Sequence, residues 1–135
     1  MNYVIVLVVL MVCLLYFVVV YNKLIKINNS VNEGFATMDV YLKKRWDLIP
    51  NLVEVVKGYA KHEKETIGKI TELRTTVYET MSVDKKININ EQLTQELSGI
   101  MAISENYPDL KASQNFIELS HDLTKIEDEI ANSRK

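Results

Sequence analysis

The run from Tyr3 to Tyr21, YVIVLVVLMVCLLYFVVVY, holds no charge, no proline and no glycine. Nineteen residues at 1.5 Å rise make a helix of ~28 Å, close to the ~30 Å hydrocarbon thickness of a bilayer. The stretch, which carries Tyr3, Leu10, Cys13, Phe17 and Tyr21, is read as a transmembrane helix in contact with the lipid bilayer, and residues 1–22 as the anchor. A cleaved signal peptide would show a basic leader and a small-residue cleavage step. Here only Met1 and Asn2 precede the run, and no such step follows it. Val12 stands where a lipoprotein site needs a small residue, so Cys13 reads as a small apolar side chain. Lys23 and Lys26 lie just after the run while only the terminal amine lies before it, which favours a cytoplasmic over an extracytoplasmic C-terminal domain.

Residues 23–135 are enough for one small domain, and with four glycines and two prolines in the chain they favour long helices. Leu24, Ile27, Val31, Phe35, Met38, Leu42 and Trp46 recur in steps of three and four, the mark of one helix face. Asn28, Asn29, Ser30, Asn32 and Glu33 fill other positions, so this segment is amphipathic and its apolar stripe needs a partner. No Gly-, Pro- or Ser-rich linker intervenes, so the anchor is expected to run into the soluble part as helix rather than as a flexible tether.

Pro50 predicts the first turn of a new helix, because proline lacks the N–H and clashes inside a helix but fits its first position. A single helix from Leu24 to Met81 would also stretch ~87 Å. The expectation is a hairpin there; the alternative is a kink, since the rhythm Leu42, Trp46, Ile49, Val53, Val56, Ala60 crosses the proline in phase. A second helix is read through Val53, Val56, Ala60, Ile67, Ile70, Val77 and Met81, with Gly58 and Gly68 as possible points of close approach. Ser82 to Asn90 reads as a connection, with Asn88 and Glu91 starting a helix through Leu93, Leu97, Ile100 and Met101. Tyr107-Pro108-Asp109 breaks it, and Ser113 is the expected N-cap of a last helix through Phe116, Leu119, Leu123, Ile126 and Ile130. Period-two alternation is absent. The fold class is all-α: an N-terminal transmembrane helix continuing into an antiparallel helical bundle of three to four coiled-coil-like helices.

With 16 Lys and Arg against 18 Asp and Glu, there is no basic excess to bind nucleic acid. His62-Glu63 opens a zinc-protease pattern, but Thr66 stands where the second histidine is required. Glu118 and His121 have the Glu-x-x-His spacing of di-iron bundles, yet Tyr59 denies His62 the matching glutamate. No metal, cofactor or catalytic set is expected. The densest charge run, Lys43, Lys44, Arg45, Trp46 and Asp47 with Pro50 and Asn51, is the candidate interaction surface, with Arg45 and Trp46 as anchors.

The block Met38 to Val53, MDVYLKKRWDLIPNLV, followed by Val56-Lys57-Gly58-Tyr59-Ala60 and His62-Glu63, closely resembles the signature of the bacterial LemA family. Tyr107 to Ser113 with Phe116, then Glu127-Asp128 and Ile130-Ala131, resembles a second block. The resemblance covers Tyr21 to Arg134 and implies a single-pass membrane protein of the bacterial envelope, with a helical bundle and no established enzymatic activity. It also implies a further helix after a Tyr-Asn-containing stretch beyond the position of Lys135, whose lack here would leave an apolar groove open. The function expected is a membrane-anchored, non-enzymatic interaction or scaffold module with a protein partner. The alternatives are an oligomer-forming, membrane-organising protein or a metal-dependent bundle enzyme using Glu118 and His121.

Overall fold

The structure is a computed structural model that describes residues 2–134. Helix α1 (Asn2–Tyr59) is followed by α2 (Lys64–Leu73), a 3-10 turn at Tyr78–Thr80, α3 (Val83–Ser104), the short α4 (Pro108–Lys111) and α5 (Gln114–Ser133). Among the described residues there is no strand. The chain divides into two units, Met1–Ala36 and Thr37–Lys135, with the boundary inside α1.

The first unit is the N-terminal part of α1. Every described side chain up to Glu33 is exposed. Its most apolar stretch reaches a mean hydropathy of 3.2, which makes α1 long and apolar enough to cross a membrane. A helix that is apolar all round needs a wholly apolar environment.

In the second unit the three-four stripe of α1 becomes core. Met38, Leu42, Trp46, Ile49, Leu52, Val53 and Val56 are buried against α2, α3 and α5, which supply Ile70, Leu93, Ile100, Leu123 and Ile126 to the same cluster. Side-chain bonds give the helix directions. Asp39 meets Lys86 and Arg45 meets Asn90 and Thr94, so α1 and α3 run parallel. A Cβ at Gly99 would meet Thr66, while Gln92 lies near Thr76, so α2 opposes α3. Arg134 bonds Glu91 at 3.0 Å while Met101 faces Ser120, so α5 opposes α3 too. The result is an up-down-up-down antiparallel bundle.

Three expectations about boundaries are corrected. The chain does not turn at Pro50: α1 continues through it to Tyr59. An interior proline costs ~3 kcal/mol, but Ile49, Leu52, Val53 and Val56 around it are all buried, each contributing ~1.5–3 kcal/mol. The cost is outweighed. The turn comes at Ala60 to Glu63, because Lys61 to Thr66 supplies no apolar residue to keep the stripe going. The helix expected through Met81 likewise stops at Leu73, and Tyr78 rather than the exposed Val77 enters the core.

The third correction concerns α3, which begins at Val83 rather than after Asn90. Ser82 is its N-cap, its hydroxyl accepting from the Lys85 N–H, and Asp84 sits favourably in the first turn. Ser113 does precede α5 as N-cap, and Pro108 opens α4 at a first-turn position. Gly58 and Gly68 mark no close approach, since nothing lies within 4 Å of a Cβ at either position.

Two substitutions test this account. Pro50→Ala is expected to raise the unfolding free energy by ~1–2 kcal/mol, and Gly68→Ala by ~1 kcal/mol. Urea titration of the purified protein measures both. Destabilisation by Pro50→Ala would contradict a helix that merely tolerates its proline.

Candidate functional site

α1 carries a charge into the core of the second unit. Its register places Arg45 on the same inward side as Leu42, Trp46 and Ile49, and the residue is 2% exposed. A buried guanidinium must be given hydrogen bonds. Nη1 donates to Asn90 Oδ1 at 2.7 Å and to Thr94 Oγ1 at 2.9 Å, both on α3. Nη2 stands 3.7 Å from Glu127 Oε2 on α5, an ion pair beyond hydrogen-bond length. Nε has no partner. Burial draws the arginine's pKa down, against the opposing pull of Glu127, and the group stays cationic. Beside it, α1, α3 and α5 enclose a cleft of about 190 Å³ whose wall includes Arg45, Ser120 and Glu127 over a floor of Leu97, Met101 and Leu123.

Nearly two turns earlier on α1, Asp39 collects a second polar cluster. The Tyr78 hydroxyl donates to Asp39 Oδ1 at 2.8 Å, and Lys86 Nζ donates to the same oxygen at 2.8 Å. Burial alone would raise the Asp39 pKa, but the bonds from Lys86 and Tyr78 outweigh it and hold it below the ordinary value. Tyr78 moves the other way, pushed well above the usual phenol range by burial and then by Asp39. Lys86 and Lys43 flank its ring at 4.3 and 5.2 Å from the centroid. Trp46 packs on that ring at 5.7 Å and carries the Arg74 guanidinium at 4.8 Å on its own.

The expected interaction surface is thus divided by the helix rather than presented as one face. Arg45 and Trp46, the expected anchors, are buried in the bundle and are not available to a partner. This corrects the reading of the block as a single docking face. Lys44, Asp47 and Asn51 remain exposed and Pro50 is half-buried. Lys43 is held by Asp47 at 3.0 Å and Glu79 at 3.1 Å. Asn90, Thr94 and Ser120 are not singled out by sequence, and Glu127 only as part of the second family-like block, since polar residues on helices are usually solvated. The one available signal was that Asn90 and Thr94 share the four-residue rhythm of Leu93 and Leu97.

Glu118 and His121 are exposed, with His121 Nδ1 3.8 Å from the Asp122 carboxylate. His62 is exposed in the turn before α2, and Glu63 accepts a bond from the Tyr107 hydroxyl at 3.2 Å. Among the described residues no three His, Cys, Asp or Glu side chains stand together as metal ligands would.

Fold and site define an all-α protein in which a helix long and apolar enough to cross a membrane leads into a bundle pinned by a buried arginine. The chain belongs to the LemA family, whose family model matches residues 34–135. It is similar to Protein LemA of Metamycoplasma hominis, with 29% identity over an alignment of 126 residues that covers 90% of this chain and 57% of that protein. The chain therefore spans a little over half the length of that relative.

Arg45→Ala is expected to cost ~3–4 kcal/mol, because it strands Asn90 and opens a cavity. Replacing both partners, Arg45→Met with Asn90→Leu, is expected to recover most of the loss, and chemical denaturation of the two variants decides it. Asp39 gives a pH prediction. Its folded pKa is depressed, so its contribution is present above the ordinary 3.8 and is lost as pH falls through the folded value. The advantage of the wild type over Asp39→Asn in thermal unfolding should be complete at neutral pH and vanish below that value. With the carboxylate 46% exposed, it amounts to less than ~1 kcal/mol.

Proposed function

We propose that the protein is a non-catalytic, membrane-anchored scaffold of the bacterial envelope, with Tyr3 to Tyr21 across the bilayer and the bundle on the cytoplasmic side. Its docking element is the segment of α1 between the membrane run and the bundle. The observation that carries this is the exposure there of Leu24, Ile27, Val31 and Phe35, at 60, 52, 48 and 49%. They share one helix face while Asn28, Asn29, Ser30 and Asn32 fill other positions. Covering four such side chains contributes ~1.5–3 kcal/mol each at full burial.

The occupant is a helix of another protein with an acidic flank near the membrane. Copies of this chain anchored in the same bilayer would meet in parallel, placing Lys23 against Lys23 and Lys26 against Lys26, which is unfavourable. Acidic residues in a different partner relieve that repulsion. Self-association is the second reading. The spacing Leu24, Ile27, Val31, Phe35 is one full eleven-residue repeat of three helical turns, continued by Met38 and Leu42, a pattern helices use to pair.

Photo-crosslinkers placed at Val31 and Phe35 in cells should give adducts with a different protein, lost in Leu24→Glu while the bundle melts unchanged. Adducts of twice the chain's mass would replace the scaffold reading with self-association, and none from either position would sink both. A fluorescent protein fused after Lys135 should mature and fluoresce; a dark fusion would put the domain outside.

A further inference from the structure

Along α2 the bundle leaves an open groove of about 490 Å³, whose lining includes Lys57, Lys61, Lys64, Ile67, Gly68 and Glu72. Glu54 holds Lys57 at 3.3 Å and Glu65 holds Lys69 at 3.1 Å. Among the described residues Lys61 and Lys64 have no ion-pair partner, and neither has Glu72 near the far end of α2. Gly68 lies between them. Its backbone is ordinary helix and a Cβ there would meet nothing within 4 Å, so nothing inside the chain calls for glycine. The missing side chain lowers the groove floor for the approach of a neighbouring helix.

α5 carries the opposite order of charge. Glu118, Asp122 and Lys125 are exposed along one strip of it, at steps of four and three. α2 and α5 both oppose α3, so they run parallel to each other. A Cβ at Gly99 would meet Thr66, and Ser120 and Thr124 share a cleft with Leu97 and Met101, which places both helices against α3. At 1.5 Å per residue, Lys64 and Glu118 fall within ~5 Å of one level, as do Gly68 with Asp122 and Glu72 with Lys125.

We infer that α2 of one copy docks on α5 of a second copy standing parallel beside it. Lys61 and Lys64 meet Glu118, Asp122 lies over Gly68, and Lys125 meets Glu72. The order of charge selects the direction, because an antiparallel approach would set Lys64 against Lys125 and Glu72 against Glu118. Copies sharing the bilayer proposed above already stand parallel. The two surfaces differ, so a pair of copies keeps a free α2 and a free α5, and further copies join head to tail in a row or ring. Exposed ion pairs are individually weak; confinement to one membrane supplies the effective concentration at which such a contact counts. The contact uses no residue of the Leu24 to Phe35 stripe, so it is separate from the docking proposed there.

Thiol crosslinking of the full chain in liposomes, on a Cys13→Ser background, tests this. One population carries Gly68→Cys and the other Asp122→Cys, and a short bismaleimide is added after the two are reconstituted together. Dimers joining one population to the other should form well above those within either population. Lys64→Glu in the first population should lower the mixed yield by about fivefold or more. Glu118→Lys in the second should do the same, and the two reversals together should restore the yield. Lys64, Gly68, Glu118 and Asp122 are all exposed, so the core is untouched. Mixed dimers no more abundant than those within one population would overturn the docking. Reversals that leave the yield unchanged, or a pair that fails to restore it, would overturn the register.

Discussion

A guanidinium taken out of water loses several kcal/mol of hydration, and it can stay in a protein core only where other elements bring acceptors to it. Arg45 imposes that condition on the second unit. It fixes the register of α3, because Asn90 and Thr94 must both face α1. It also fixes the register of α5, because Glu127 must approach from the other side. Apolar stripes alone would let these helices slide by a turn at modest cost. The arginine does not permit it, since a shifted α3 leaves the charge dry and unpaired.

The same residue links architecture to chemistry. Packing three helices around a planar cation satisfies its Nη1 and leaves its Nε buried without a partner. Arg45 thus serves as a register pin between α1 and α3. In the Asp39, Tyr78 and Lys86 cluster the phenol and the ammonium both donate to Asp39 Oδ1. The cluster reads as a clamp between α1, α3 and the 3-10 turn.

The two units present apolar surface for different reasons. From Met38 onward the stripe of α1 is covered by α2, α3 and α5, whereas Leu24 to Phe35 carries the same spacing with no cover among the described residues. One sequence pattern is resolved as core in one unit and left as surface in the other. That contrast directs the search for a partner to the uncovered part.

Sequence by itself determined the helical class, the membrane-length run, the family and most of the core, because hydropathy and a period of 3.6 are local properties that survive without knowledge of neighbours. The stripes through Phe116, Leu123, Ile126 and Ile130, and through Leu93, Leu97 and Ile100, were legible for that reason. Tertiary structure alone decided the rest. Pro50 sits inside a helix because long-range burial of its neighbours outweighs a local cost. Val83 to Asn90 is helical although its polar and β-branched residues suggest a loop, because Ser82 caps it and burial of Ile89 and the bond from Lys86 to Asp39 hold it against α1. The block Lys43 to Asn51 is divided between core and solvent because a helix sends residues two apart to different faces. A charge run therefore shows that polar residues are present, and only the packing tells which of them still meet water.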